Sequence, residues 1–267
     1  MTITSAGSRI IVISSISVIL SVMAMFVVKQ TGIDLKEVRQ RTSPTVLLIA
    51  SFFNLLFILT VALILKFWDH QSLYTLGFSL TFSSLSFSIL VLALSIGLAF
   101  IYVWYLHSQK INEIIGTGRL PKEFKVIAVG ALGFGVLFIA ALQEEIMFRG
   151  YFTYVLRSYG FWYSMIISTI LFTLWHFITN KVNLFQSIDW MLGGIMLFNV
   201  YWLSGSIWVA TFAHFGRNLA NVLVFNISGS NSLLAYKKPI SASNKTIYTI
   251  IYSLFIILVA YFYFNYI

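Results

Sequence analysis

The chain has 267 residues, of which 59% are hydrophobic and only 9% charged. Soluble domains carry about a quarter charged residues because they need a wettable surface, so a fold in water, with large apolar patches left exposed, is excluded. The formal net charge of +9 falls mostly in short gaps between apolar runs, where it orients helices and meets anionic headgroups, and no basic stripe with interleaved aromatics points to nucleic acid. The absence of cysteine removes disulfides, thiolate zinc sites and cysteine nucleophiles together.

A helix needs about 20 mostly apolar residues to cross a bilayer, and about eight such runs follow one another. The first, Ile10 to Val28, lies between Arg9 and Lys29 and has no small-x-small cleavage site, so it reads as a retained helix rather than a signal peptide. The second runs from Thr45 to Leu65, the third from about Leu85 to Leu106, and the fourth from near Val126 through an acidic patch to Phe148 or beyond. The fifth spans about Phe161 to Ile178, the sixth Ile188 to Leu203, the seventh Ile207 to Ile227 and the last Ile247 to Ile267. All three prolines (Pro44, Pro121, Pro239) lie between runs, as their disruption of helix interiors requires. Gly130, Gly133 and Gly135 in the fourth run either permit close helix approach or are ordinary membrane-helix glycines. The expected fold is an all-α, polytopic membrane helix bundle.

Orientation follows from basic residues in the loops. Lys29, Lys36, Arg39 and Arg41 follow the first run, and Lys110, Arg119, Lys122 and Lys125 the third. Lys181 follows the fifth, and Lys237, Lys238 and Lys245 the seventh. With these inside, only Arg9, Lys66, Arg149 and Arg157 face the other side, and both termini lie outside. His70 and His107 read as loop or interface residues, and Asp69 and Asp189 as interfacial caps.

The remaining charges interrupt apolar runs. Glu144, Glu145 and Arg149 lie in the fourth, His176 near the end of the fifth, and His214, Arg217 and Asn218 inside the seventh. Each ionisable group at the bilayer centre costs about 2.5 to 3.5 kcal/mol on insertion scales, so three helices carrying them imply a shared polar chamber. Glu145 and Arg149 are one helical turn apart and can pair, while Glu144 is turned by about 100° from its neighbour and faces another partner. Phe172 and His176 share a face, as do His214 and Asn218. Two imidazoles and a carboxylate from three helices can converge on one water, the carboxylate taking its proton and an imidazole passing it on. The same set can instead hold zinc and acidify its bound water. Taken singly, each residue also has a bland reading: a helix-bridging histidine, an interfacial ion pair, an asparagine holding two helices together.

Glu144-Glu145-x-x-x-Arg149, Phe172-x-x-x-His176 and His214-x-x-x-Asn218, in this order on separate apolar helices, resemble the three-motif signature of the CAAX protease and bacteriocin-processing (CPBP/Abi) family. That family includes the type II CAAX prenyl endopeptidases. Phe148-Arg149-Gly150 and Leu203-Ser204-Gly205-Ser206-Ile207-Trp208 fit the same pattern, and the resemblance covers about Val126 to Val224. It divides the chain into N-terminal helices (1–125), a catalytic core (126–227) and a loop with the last helix (228–267).

The resemblance implies an intramembrane endopeptidase of about eight spans acting on a peptide or membrane-anchored protein. Glu144 would activate the attacking water with His176 as proton partner, and His214 and Asn218 would stabilise the oxyanion. Glu145 and Arg149 would support them. Family members are described as metalloproteases, with Glu144, His176 and His214 as the zinc ligands here, and a metal-free glutamate mechanism is also argued. The lack of a His-Glu-x-x-His motif favours the second. The compact, loop-poor chain resembles the bacterial members, for which bacteriocin maturation or self-immunity is inferred, in a bacterial cell membrane. Two rivals are a non-catalytic immunity or binding protein on the same scaffold and a small proton-coupled transporter; the second lacks a paired repeat with broken helices.

Depth adds one constraint. From a start at Val126, Glu144 would lie about 27 Å along its helix, at 1.5 Å per residue, with His176 near the opposite face. A buried part running from about Phe134 through Tyr151 to Leu156 returns Glu144 to mid-depth, and this is the expected arrangement.

Overall fold

A computed structural model of the chain describes residues 3–33, 43–118, 124–179, 183–225 and 232–266. It is an all-α membrane bundle. Its main helices are α1 (Ile3–Gln30), α2 (Pro44–Phe67), α3 (Phe82–Ser108), α4 (Phe124–Glu145), α5 (Phe161–Thr179), α6 (Leu184–Ser204), α7 (Ile207–Leu223) and α8 (Ala242–Tyr266). Among the described residues six helices are long and apolar enough to cross a membrane; α6 and α7 are the two main helices outside that set.

Most of the helices begin or end beyond the apolar runs. Hydropathy marks the part immersed in lipid, whereas backbone hydrogen bonding continues into the interface until a cap stops it. Pro44 starts α2, its missing N–H costing nothing at a first turn. Thr81 and Ser84 form a reciprocal capping box at the start of α3. The seventh run was expected to reach Ile227, but α7 stops at Leu223, and residue 227 lies outside the described residues. The expected end of the last helix, residue 267, also lies outside them.

The chain forms two compact units. The first comprises Met1–Phe78 and Pro121–Ser164, the second Ser79–Leu120 and Met165–Ile267.

In the first unit α2 packs against both α1 and α4. Phe53, Phe57, Val61 and Leu65 form its buried stripe, each one turn from the next, while Phe52, Leu55, Leu59 and Leu63 are exposed. Both faces are apolar, so burial here is sorted by helical phase and not by polarity, as for a helix whose outer face meets lipid. At its end, α4 passes without a break into a π-helical stretch, Ile146–Phe152, and a last α turn, Thr153–Leu156. Every residue from Glu145 to Thr153 is buried, as are Val155 and Leu156. The part of this stretch that is buried within the protein is therefore the later one.

In the second unit α7 packs on α3 and α6, and α8 packs on α6 and α3. A short antiparallel pair, β1 (Ile114–Thr117) and β2 (Leu234–Tyr236), joins the loop after α3 to the loop after α7, with Ile114 opposite Tyr236, Gly116 opposite Ala235 and Thr117 opposite Leu234, and a one-residue register shift between Ile114 and Gly116. Lys237 pairs with Glu113 beside it at 3.0 Å. The Tyr236 hydroxyl donates to the Val224 carbonyl, and burial pushes its pKa up, which keeps the donor protonated. Gly205 ends α6 in the left-handed conformation, φ 61°, with its N–H on the Tyr201 carbonyl. That conformation suits a residue without Cβ and lets α7 begin two residues later.

Three residues, Asp69, Asp189 and Lys245, depart from expectation, and the choice left open for three glycines is decided. Asp69 is no cap: its carboxylate pairs with Arg9 of α1 and accepts the Tyr151 hydroxyl at 2.9 Å. Asp189 lies inside α6, and Lys245 inside α8 instead of in the preceding loop. Among the described residues, a Cβ built on Gly130, Gly133 or Gly135 meets nothing within 4 Å, so these glycines do not mediate close packing. That role belongs to Gly194 and Gly216, where a Cβ would come within 2.9 Å of the Thr169 side chain and 2.7 Å of Ser95 Oγ respectively.

Candidate active site

The site residues expected from sequence divide between the two units. Glu144, Glu145 and Arg149 belong to the first, His176, His214 and Asn218 to the second.

In the first unit Glu144 and Glu145 are the last two α-helical residues before the π-helical stretch. The pairing read from the four-residue spacing is present. Arg149 Nη1 donates to Glu145 Oε1 at 3.2 Å, with both side chains fully buried. The guanidinium also lies 5.9 Å from the Phe148 ring centre. A single-turn widening from α to π rotates all following side chains relative to those before it, and such insertions cluster at functional positions. The wide turn is pinned on its outer side by the Tyr151–Asp69–Arg9 chain of contacts. At Gly150 a Cβ would press on Leu76 Cδ1 at 3.2 Å. Nothing in the apolar pattern of residues 146–152 marks the π geometry; only the isolated Gly150 hints at a close approach.

In the second unit α5 and α7 bring two imidazoles around one phenyl ring. The Phe172 ring centre lies 4.5 Å from that of His176 and 6.0 Å from that of His214. The Trp190 ring of α6 lies tilted against His176, with ring centres 5.0 Å apart. Gly194 allows this: it lets α6 approach α5 at Thr169 and Phe172. His176 Nδ1 lies 2.9 Å from the Phe172 carbonyl oxygen. A carbonyl can only accept, so Nδ1 carries the proton, and Nε2 is the ring nitrogen able to take one up.

His176, His214 and Asn218 line a common cavity of about 450 Å³ within this unit. Its wall also includes Asp189 of α6, Arg217 of α7 and Lys245 of α8. Arg217 stood out in the sequence as a cation inside an apolar run. The sequence alone puts Asp189 at an interfacial cap and Lys245 in the loop before the last run. α6 and α8 begin earlier than their apolar runs, at Leu184 and Ala242, so both residues lie within helices and reach the cavity wall.

Zinc requires about three protein ligands with a fourth position open for water. The second unit supplies His176 and His214, and Nδ1 of His176 is engaged with a carbonyl. Among the described residues no group of three or more His, Asp or Glu side chains is arranged to hold a metal ion. Among the described residues of the second unit the donors fall short of a zinc centre, and no step is derived through one.

Residues 127–220 match the family model of type II CAAX prenyl endopeptidases, Rce1-like. The resemblance read from the three motifs therefore holds. This Rce1-like segment contains Glu144 to Arg149, Phe172 to His176 and His214 to Asn218, and it ends before α8. The family is one of proteases, and the six long apolar helices make the chain an integral membrane protein. Comparisons with curated proteins and with solved structures found no match.

Proposed function

We propose that the chain is an intramembrane endopeptidase that cleaves a peptide or a membrane-anchored protein by direct attack of water. Two imidazoles and a carboxamide facing one polar cavity, within a segment that resembles a protease family, support this most directly. In this reading Glu144 takes a proton from water as the oxygen attacks the scissile carbonyl carbon. His214 and Asn218, one turn apart on α7, donate to the carbonyl oxygen as it becomes an oxyanion. The tetrahedral intermediate collapses with rupture of the C–N bond, and the proton taken up by Glu144 passes through Nε2 of His176 to the leaving amine, which returns Glu144 to a carboxylate. Glu145 and Arg149 hold the wide turn that presents Glu144. The finer assignment is to a bacterial protein of bacteriocin maturation or self-immunity.

The test is cleavage of internally quenched peptides by the purified protein in phosphatidylcholine vesicles. Glu144→Ala and His176→Ala are each expected to lower the rate by about 10²-fold or more, the contribution of a positioned acid or base, with the melting temperature retained. EDTA is expected to leave the wild-type rate unchanged. If Glu144→Ala cleaves at the wild-type rate, the glutamate mechanism is wrong. A wild-type protein that binds peptides and never cuts them is a binding protein on this scaffold.

A further inference from the structure

Asp69 is a buried charge that hydrolysis does not use. It lies just past the end of α2, outside the matched segment 127–220, and its side chain has no exposed surface. A carboxylate is costly to bury unless its neighbours make up for the lost water. Here Arg9 of α1 pairs with it, and the Tyr151 hydroxyl donates to Oδ2 at 2.9 Å. All three residues belong to the first unit.

The backbone around Asp69 is held as firmly as its carboxylate. The Asp69 N–H donates to the Ile64 carbonyl at 3.2 Å, and the Gln71 N–H to the Leu65 carbonyl at 2.8 Å. His70 between them takes the left-handed conformation, φ 52°, which a residue with a Cβ keeps only where its surroundings impose it. The chain then enters a short 3-10 turn, Leu73–Leu76, whose last side chain is buried and faces Gly150. One connection thus grips two consecutive residues of the π-helical stretch, Gly150 through Leu76 and Tyr151 through Asp69.

That grip bears on Glu144. A π turn closes i→i+5 bonds, carries one residue more than an α turn, and is rare without outside support. Reversion to α geometry between Glu145 and Tyr151 would shift the phase by one residue, about 100°. With Tyr151 held, Glu144 keeps its direction only while the wide turn persists. Glu145 and Arg149 both belong to this stretch, so their pair does not tie it to the rest of the unit. Asp69 does, because it comes from another element.

We propose that Asp69 is a positioning residue for Glu144: paired with Arg9 and bonded to Tyr151, it holds the wide turn in the geometry that aims Glu144 at the attacking water. The proposal rests on the endopeptidase reading and deepens it. It makes α1 and the connection after α2, both outside the family segment, part of the apparatus of the same site.

The test uses the full-length protein in phosphatidylcholine vesicles with internally quenched peptides, and kcat is expressed per folded molecule. Tyr151→Phe and Asp69→Asn are each expected to lower kcat about tenfold or more, the weight of one hydrogen bond to a charged group, with KM nearly unchanged. The double variant is expected to be no slower than the worse single one, because both changes break one contact. Arg9→Lys keeps a cation beside Asp69 and is expected to retain most of the rate that Arg9→Gln loses. Val61→Ala, on the buried stripe of α2, is the control: a destabilised first unit with kcat retained.

A second readout needs no cleavage. The native chain has no cysteine, so Glu144→Cys carries a single thiol whose rate of reaction with a charged methanethiosulfonate reports where position 144 points. Adding Tyr151→Phe is expected to change that rate well beyond the effect of adding Val61→Ala. Unchanged kcat in Tyr151→Phe and Asp69→Asn, or a loss that Val61→Ala matches at equal melting temperature, overturns the proposal and leaves the cluster a structural ion pair. If the wild-type protein cuts no peptide, the endopeptidase reading fails and the thiol alone decides: a changed rate keeps Asp69 as the residue that orients position 144. An unresponsive thiol overturns the proposal in either case.

Discussion

Glu145 and Arg149 carry opposite charges one helical turn apart, and neither side chain reaches the surface. Removing two charges from a polar medium costs more than a single pair returns unless geometry is good. The useful comparison is therefore between deleting one partner and deleting both. Arg149→Met is expected to lower stability by about 3–5 kcal/mol, because it takes the cationic partner from a buried carboxylate. Glu145→Gln combined with Arg149→Met is expected to recover most of that loss. Thermal unfolding in detergent, followed by circular dichroism, measures both. A single variant as stable as the parent would show that Glu145 is already neutral or satisfied by other groups. This pair was readable from the sequence because both partners lie on one turn. The Arg9–Asp69 pair was not, since its residues come from different elements and no local spacing connects them.

At the scale of elements, the contact of α7 with α3 depends on a single small residue. Gly216 stands between His214 and Asn218, and an added Cβ would lie 2.7 Å from Ser95 Oγ and 2.8 Å from Ser95 Cβ on α3. Ser95 cannot swing aside freely, because its hydroxyl is bonded to the Val91 carbonyl and the Tyr252 hydroxyl. Gly216→Ala is therefore expected to push α7 off α3, cost about 1–3 kcal/mol as overpacking does, and depress peptide cleavage through displacement of His214 and Asn218. Gly133→Ala, on an open face of α4, is expected to be neutral or slightly stabilising, as alanine usually is in a helix. Cleavage rates and melting temperatures of the two variants decide the matter; equal effects would contradict the packing. The helices themselves were legible as apolar runs, since lipid demands length and hydropathy of any span. Which glycines carry close contacts was not legible, because a small-residue pattern shows that approach is allowed and not that a neighbour is there. The polar chamber was legible in its histidines and Asn218, whose charge or polarity breaks an apolar run. Its Lys245 was hidden by a run boundary drawn a few residues late, and its Asp189, second residue of a run, read as a cap.

For the whole molecule, the strand pair constrains how the chain threads the bilayer. β1 follows α3 and β2 follows α7, and their antiparallel register places both loops on one membrane face. The chain must then cross an even number of times between Thr117 and Leu234. Four crossings by α4 to α7 satisfy this, as do two by α4 and α5 with α6 and α7 entering and leaving by the same side. The basic residues, read independently, put these same two loops inside with the loop after α1, and both termini opposite. The native chain has no cysteine, so single cysteines report position without background. Thr31→Cys, Gln109→Cys and Lys238→Cys are each exposed sites in the three basic loops. They are expected to react with a membrane-impermeant maleimide only in inside-out vesicles. Thr2→Cys and Ile267→Cys are expected to react only in right-side-out ones. Labelling of positions 109 and 238 from opposite faces would contradict the strand pairing itself. Labelling of all five as groups with the sides exchanged would leave the pairing intact and reverse only the orientation drawn from charge, so one set of five variants separates the topology that the fold dictates from the direction that the lysines impose.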